Sequence, residues 1–153
     1  MRRLSKKSSR NCPKAVIDSA VLFAGLTDKK SLEAVVLEWS KNDEIALSIS
    51  EQSVEEIERV LDIGSAQVRA FLETQGIDIL ASSSVLSDVR YPEYASESRS
   101  AAEPCDRLTF ISAKAYLKKN PSAIFVTNDS ELLKLNSALF ERARTVKQFM
   151  DGL

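Results

Sequence analysis

Four acidic residues stand at the ends of short apolar runs or in the first turns of helical stretches. They are Asp18 after AVI, Glu56 in SISEQSVEEIERVL, Asp106 in EPCDRLTF and Asp129 in AIFVTND. The 153-residue chain contains no histidine. That absence removes Ser–His and Cys–His nucleophile pairs, histidine acid–base chemistry and histidine-ligated zinc. Cys12 and Cys105 lack CxxC spacing, so neither a zinc cage nor a disulfide framework is indicated. Chemistry would fall to carboxylates, lysines, hydroxyls or a bound cation. Carboxylates brought together repel one another, and a divalent ion removes the conflict. Oxygen ligands alone select the hard ions Mg²⁺ or Mn²⁺. Such an ion acidifies a coordinated water and neutralises charge developing on a phosphoryl oxygen, the two services phosphodiester hydrolysis needs.

Each acid also has a plainer explanation. Asp129 reads as a helix N-cap or Asx-turn residue, and Asp106 as a first-turn acid that complements the helix dipole. Glu56 lies near Glu55 and Glu58, as on a solvated helix face. Asp18 sits between AVI and VLFAGL, where a carboxylate is costly unless paired, hydrogen-bonded or bound to a cation. Either it caps a helix that begins after a buried strand, or it holds a metal at that strand's carboxyl end.

The elements that must position these residues are legible in the pattern. AVID (15–18), IALSI (45–49), IDILA (77–81) and AIFVT (123–127) read as short strands, with ARTV as a last one. Leu32, Val35, Val36 and Trp39 fall at helical spacing within 30–41, and Val54, Ile57, Val60 and Leu61 form a stripe after an N-cap at Ser50. Ser65–Gln75 reads as a helix stopped by Gly76, and Pro104 is suited to start a helix running to Lys119 with Leu108, Phe110, Ile111 and Ala115 inward. NDSELLKL opens another helix, and KQFMDGL a short terminal one. Residues 82–103 are serine-rich without periodicity and read as a long connection. Strands alternating with amphipathic helices predict a three-layer α/β/α sandwich around a mainly parallel central sheet, whose ligands gather outside the carboxyl ends of the strands.

Hydrophobic residues make up 44% and charged residues 28%, the balance of a soluble globular chain. No apolar run approaches the ~20 residues of a membrane span, and no secretory h-region follows the N-terminal charges, so the expected location is cytoplasmic with no membrane partner. Net charge is −1, unevenly spread: residues 1–14 hold six basic side chains and no acids, leaving 15 basic and 22 acidic ones in the other 139 residues. Residues 1–13 read as a basic, flexible arm, a solubilising tail or a phosphate-binding one, ahead of a single domain over 14–153.

Taken as an ordered set, the four blocks resemble PIN domains. AVIDSAVLFAGL is similar to that family's opening, with the aspartate after the first strand. SISEQSVEEIERVL matches the second block, whose glutamate falls on Glu56; EPCDRLTFISA matches the third, at Asp106 and Ala113; IFVTNDSELLKL matches the fourth, at Thr127, Asn128 and Asp129. Within the family the chain looks closest to VapC-like toxin components of bacterial toxin–antitoxin systems. The resemblance implies a Mg²⁺- or Mn²⁺-dependent ribonuclease with RNA as substrate, a small antitoxin partner and a homodimer. It assigns Asp18, Glu56, Asp106 and Asp129 to catalysis and metal binding, with Ser19, Thr127 and Asn128 orienting those carboxylates. Arg107, Lys14 or the basic arm would grip RNA phosphates, with Glu103 a spare acid at the rim. The family often has a polar residue where Ala20 stands and paired acids where Cys105 precedes Asp106. Those differences favour an alternative, a PIN-fold binding or scaffold protein with a degraded site. Ala20 also disfavours phosphoaspartyl chemistry of the phosphatase type, which asks for a second aspartate at that position.

Overall fold

Short, apolar strands leave no room for one-sided solvation, and the chain buries both sheet faces under helices. A computed structural model describes residues 12–83, 104–130, 133 and 142–153, without the side chains of Ser65, residues 104–108 and Phe110. Five strands lie among them: β1 (Lys14–Ile17), β2 (Ala46–Ser50), β3 (Ile77–Leu80), β4 (Ile124–Val126) and β5 (Ala143–Arg144). Six helices accompany them: α1 (Ser19–Thr27), α2 (Leu32–Lys41), α3 (Glu51–Leu61), α4 (Ser65–Gln75), α5 (Pro104–Lys119) and α6 (Val146–Asp151). All strand pairs are parallel, in the order β3-β2-β1-β4-β5. The three-layer α/β/α sandwich predicted from sequence is present, with a wholly parallel sheet.

Side-chain alternation along each strand divides the core. Ala15 and Ile17 of β1, Leu47 and Ile49 of β2 and Val126 of β4 join a cluster with residues of α1, α2, α3, α4 and α6. Val16 and Phe125 point the other way, into a smaller cluster with Ile111, Ala113, Ala115 and Leu117 of α5. Helix ends follow the local signals: Ser31, Ser50 and Thr145 accept backbone N–H bonds as N-caps, and Gly76 closes α4 at φ 74°, a left-handed conformation that glycine adopts without penalty. Gly25 is dictated by packing. A Cβ there would lie 2.5 Å from Leu37 Cδ1, so a glycine lets α1 and α2 approach.

Two helical stripes differ from expectation. In α3, Val54 and Ile57 are buried and Leu61 is partly buried, but Val60 is 60% exposed. At about 100° per residue Val60 lies well off the Val54–Leu61 line. In α2 the buried set is Val36, Leu37 and Ser40, while Leu32 and Val35 are partly exposed and Trp39 packs at the margin of the core. Ser40 is buried because its hydroxyl donates to the carbonyl of Gln75 at 3.0 Å, tying α2 to the end of α4. The expected inward positions Leu108 and Phe110, the helix opened by NDSELLKL beyond Ser130 and Leu133, most of the 82–103 connection and most of the basic arm lie outside the described residues. Among those described, no helix is long and apolar enough to cross a membrane.

Candidate functional site

The strand order creates one switch point. From β1 the chain builds outward through β2 and β3, then returns to place β4 on the other side of β1. In such sheets a crevice opens above the carboxyl ends of the two strands that flank the reversal, here β1 and β4. Register puts Ile17 opposite both Ile49 and Val126. The next residues, Ser50, Asp18 and Thr127, therefore stand in one row across β2, β1 and β4.

Asp18 fills the first of the two roles its sequence position left open, that of a helix cap, and makes a second hydrogen bond at this edge. It caps α1, with Oδ1 accepting the Val21 N–H at 3.0 Å. Its other oxygen, Oδ2, accepts a short hydrogen bond from the Thr127 hydroxyl. Only 5% of Asp18 is exposed, and Thr127 is fully buried. Thr127 Oγ1 also accepts the Asp129 N–H at 3.0 Å, so one hydroxyl joins the aspartate of the first block to the loop of the fourth. A carboxylate in this position is held by an N–H and an O–H donor, which offsets the cost of burying it.

Glu56 is brought in by the first residue of α1. Ser19 Oγ donates to Glu56 Oε1 at 2.6 Å, across 37 residues of sequence. Asn128 works on the other side of the loop: its Nδ2 donates to Glu33 Oε2 at 2.6 Å, and its Oδ1 accepts the Val146 N–H at 3.2 Å. The T-N-D loop is thus fastened to β1, α2 and α6 at once. Thr127 and Ser19 contact two of the four candidate acids, Asp18 and Glu56, whereas the side chain of Asn128 bonds Glu33 and the Val146 N–H. Asp106 lies in the first turn of α5; its side chain and those of Arg107 and Glu103 lie outside the described residues. Lys14 is placed elsewhere. It opens β1 at the amino edge and its Nζ donates to Asn120 Oδ1 at 3.5 Å, four residues of strand, ~13 Å, from Asp18. A parallel strand separates its two ends in this way, so nearness in sequence to the first block does not bring Lys14 to its carboxylate.

Two features escape sequence reasoning. Glu33 reads as a first-turn acid of α2, and nothing local marks it as the partner of Asn128. Ser50, Ser53 and Thr109 form a buried hydroxyl cluster: Ser50 Oγ donates to Ser53 Oγ at 3.0 Å, and Thr109 Oγ1 lies 3.1 Å from Ser53 Oγ and 3.4 Å from Ser50 Oγ. The available signal was polar residues at inward helix positions, Ser53 beside Val54 in α3 and Thr109 two before Ile111 in α5.

As a cation site, the donor set is all oxygen, the chemistry that hard divalent ions prefer. Among the described residues, no group of three or more Asp, Glu, His or Cys side chains is placed to hold an ion. Asp18, Glu56 and Asp129 do not form one by themselves. A groove of about 620 Å³ between α1, α2 and α4, lined by Leu26, Val35, Leu37 and Phe71, contains none of the four acids. No model of a known protein family and no curated protein compared with the chain matches it.

Proposed function

We propose that this chain is a Mg²⁺- or Mn²⁺-dependent ribonuclease of the PIN type, acting as the toxin of a toxin–antitoxin pair. The observation that carries the reading is the buried Asp18 at the β1–β4 switch point, joined through Thr127 to the loop of Asp129 and flanked by Ser19, which holds Glu56. Asp18, Glu56, Asp106 and Asp129 are the residues that would hold the ion. Bound there, the ion supplies charge neutralisation on the phosphate and a more acidic water. The protein's own part is orientation. Thr127 and the α1 amide fix the plane of the Asp18 carboxylate, Ser19 fixes that of Glu56, and Asn128 anchors the loop that carries Asp129. RNA is the substrate in this reading, and a small antitoxin and a second copy of the chain are its partners.

Structured RNA incubated with the purified protein should be cut with Mn²⁺ or Mg²⁺ and stay intact with chelator. Mn²⁺ should also raise the unfolding temperature, by an amount that grows with the logarithm of its concentration above Kd. Protein that gains no stability at millimolar Mn²⁺ and leaves RNA whole favours the scaffold reading, for which Ala20 and Cys105 are the sequence grounds.

A further inference from the structure

The two sides of the switch point are built to different depths. β1 and β2 run four and five residues and lead straight into helices capped by Asp18 and Ser50. β4 has three residues, and its outer neighbour β5 has two, at the edge of the sheet. Among the described residues the last backbone bond between them is Thr127 N–H to the Arg144 carbonyl, at 2.9 Å. Past it the T-N-D loop leaves the sheet, and side-chain bonds take over. Thr127 Oγ1 joins Asp18 to the Asp129 N–H, and the Asn128 amide reaches in two other directions.

Asn128 Oδ1 accepts the Val146 N–H at 3.2 Å, a first-turn donor that no carbonyl of α6 itself can reach. Its Nδ2 donates to Glu33 Oε2 at 2.6 Å. Hydrogen bonds to an ionised acceptor are shorter and stronger than neutral ones. Glu33 stands on a firm mount. α2 is capped by Ser31, pressed onto α1 where Gly25 has no Cβ, and tied to the end of α4 by the Ser40 hydroxyl. An amide suits position 128 because it accepts from α6 and donates to the carboxylate at once.

We propose that Glu33 is a positioning residue of the candidate site: through Asn128 it braces the T-N-D loop, so that Thr127 stays on Asp18 and the Asp129 backbone stays on Thr127. Its bearing on catalysis rests on the nuclease reading above, whereas its hold on the loop does not. The Asn128–Glu33 bond lies at the surface, where one hydrogen bond adds little to global stability. Its loss should therefore loosen the loop and leave the unfolding temperature near that of the wild type.

The test is Glu33→Ala, which removes the acceptor, with Glu33→Gln as the rescue because it keeps an oxygen for the Asn128 amide. Backbone amide exchange is followed by NMR in the full-length protein, and RNA cleavage is measured beside it in MnCl₂. In E33A the Asp129 and Val146 amides should exchange ~5-fold faster, the effect of one net hydrogen bond. The Ala34 amide, held by the Ser31 hydroxyl at 3.1 Å, should exchange as in the wild type, which shows that α2 still starts intact. kcat should fall ~10-fold at unchanged KM, as when groups that orient ligands are removed, and E33Q should recover both measurements. Since Glu33 acts through Asn128, E33A should add nothing to a protein that already carries Asn128→Ala. Wild-type exchange at Asp129 and Val146 in E33A, a wild-type kcat, or an effect undiminished in the N128A background overturns the proposal. Failure of the parent reading looks different: wild-type protein then cuts no RNA, and amide exchange alone decides the brace.

Discussion

The two edges of the sheet spend their charge differently. At the amino edge a cation is used up on backbone. Arg142 donates from Nη1 to the carbonyls of Asn120 and Ala123, each at 3.1 Å, and to that of Pro121, and from Nη2 to Leu117 at 2.7 Å. These carbonyls lie at the end of α5 and in the turn to β4, those of Leu117 and Asn120 also accepting backbone N–H bonds, and a positive charge there complements the helix dipole. At the carboxyl edge three anions take side-chain partners from distant segments: Thr127 for Asp18, Ser19 for Glu56 and Asn128 for Glu33. Parallel strands with returning helices put helix C-termini at one end of the sheet and N-termini at the other. The difference teaches which end is scaffold. Arg142 closes a turn, whereas the carboxylates are oriented side chain by side chain.

Asp18→Asn should break the comparison most sharply. Asparagine still offers an oxygen to the Val21 N–H, so α1 keeps its cap and the protein should unfold near the wild-type temperature. Mn²⁺-dependent cleavage should fall by at least the ~100-fold reached when ligand-orienting groups are lost. Full activity in D18N would remove Asp18 from the chemistry and leave it a cap.

Arg142→Ala should do the reverse. It removes the guanidinium hydrogen bonds to the carbonyls of the α5–β4 turn and should cost about 2 kcal/mol, the range of hydrogen bonds to a charged donor, seen as a lower denaturant midpoint. The folded fraction should cut RNA at the wild-type rate with the wild-type Mn²⁺ midpoint. A raised midpoint would show that the amino edge also governs the site through α5.

The smallest effect belongs to Tyr116, between the two edges on the α5 side. Burial pushes its phenol above the ordinary 10.0, the hydrogen bond with Ser48 pulls it down, and the Asp78 charge adds a smaller upward push. A raised acid constant means that the fold prefers the neutral phenol. Stability is therefore fully present below pH ~10 and is lost as pH rises through the folded value. Thermal unfolding from pH 8 to 11 should show a modest alkaline decline that Tyr116→Phe reduces. An identical decline in the variant would assign it to other groups.

Much of the scaffold could be read from sequence because its determinants are local. Ser50 as the cap of α3, Gly76 as the stop of α4 and Pro104 as the start of α5 need only neighbouring backbone, and all three stand where expected. The stripe containing Val60 misled because four apolar residues near helical spacing were counted together, and only three share the buried side. Leu32 and Val35 misled similarly: α2 turns Val36, Leu37 and Ser40 inward, and the choice of face was made by α1 and α4 packing against it. Within the candidate site, Asp18 stood out because its surroundings are apolar. Glu33 and Thr109 did not, because their partners lie 95 and 56 residues away.

By itself the chain's sequence determined the alternation of strands and helices, the caps and stops that bound them, and the exclusion of histidine chemistry. Those properties depend on residue type and on spacings of two to four residues. Only the tertiary structure decided that Asp18 and Thr127, 109 residues apart, share a hydrogen bond, that Lys14 belongs to the opposite edge, and that Ser53 meets Thr109. Strand order and register settle such meetings, and they are set by burying both faces of the whole sheet at once, a condition that no single segment carries.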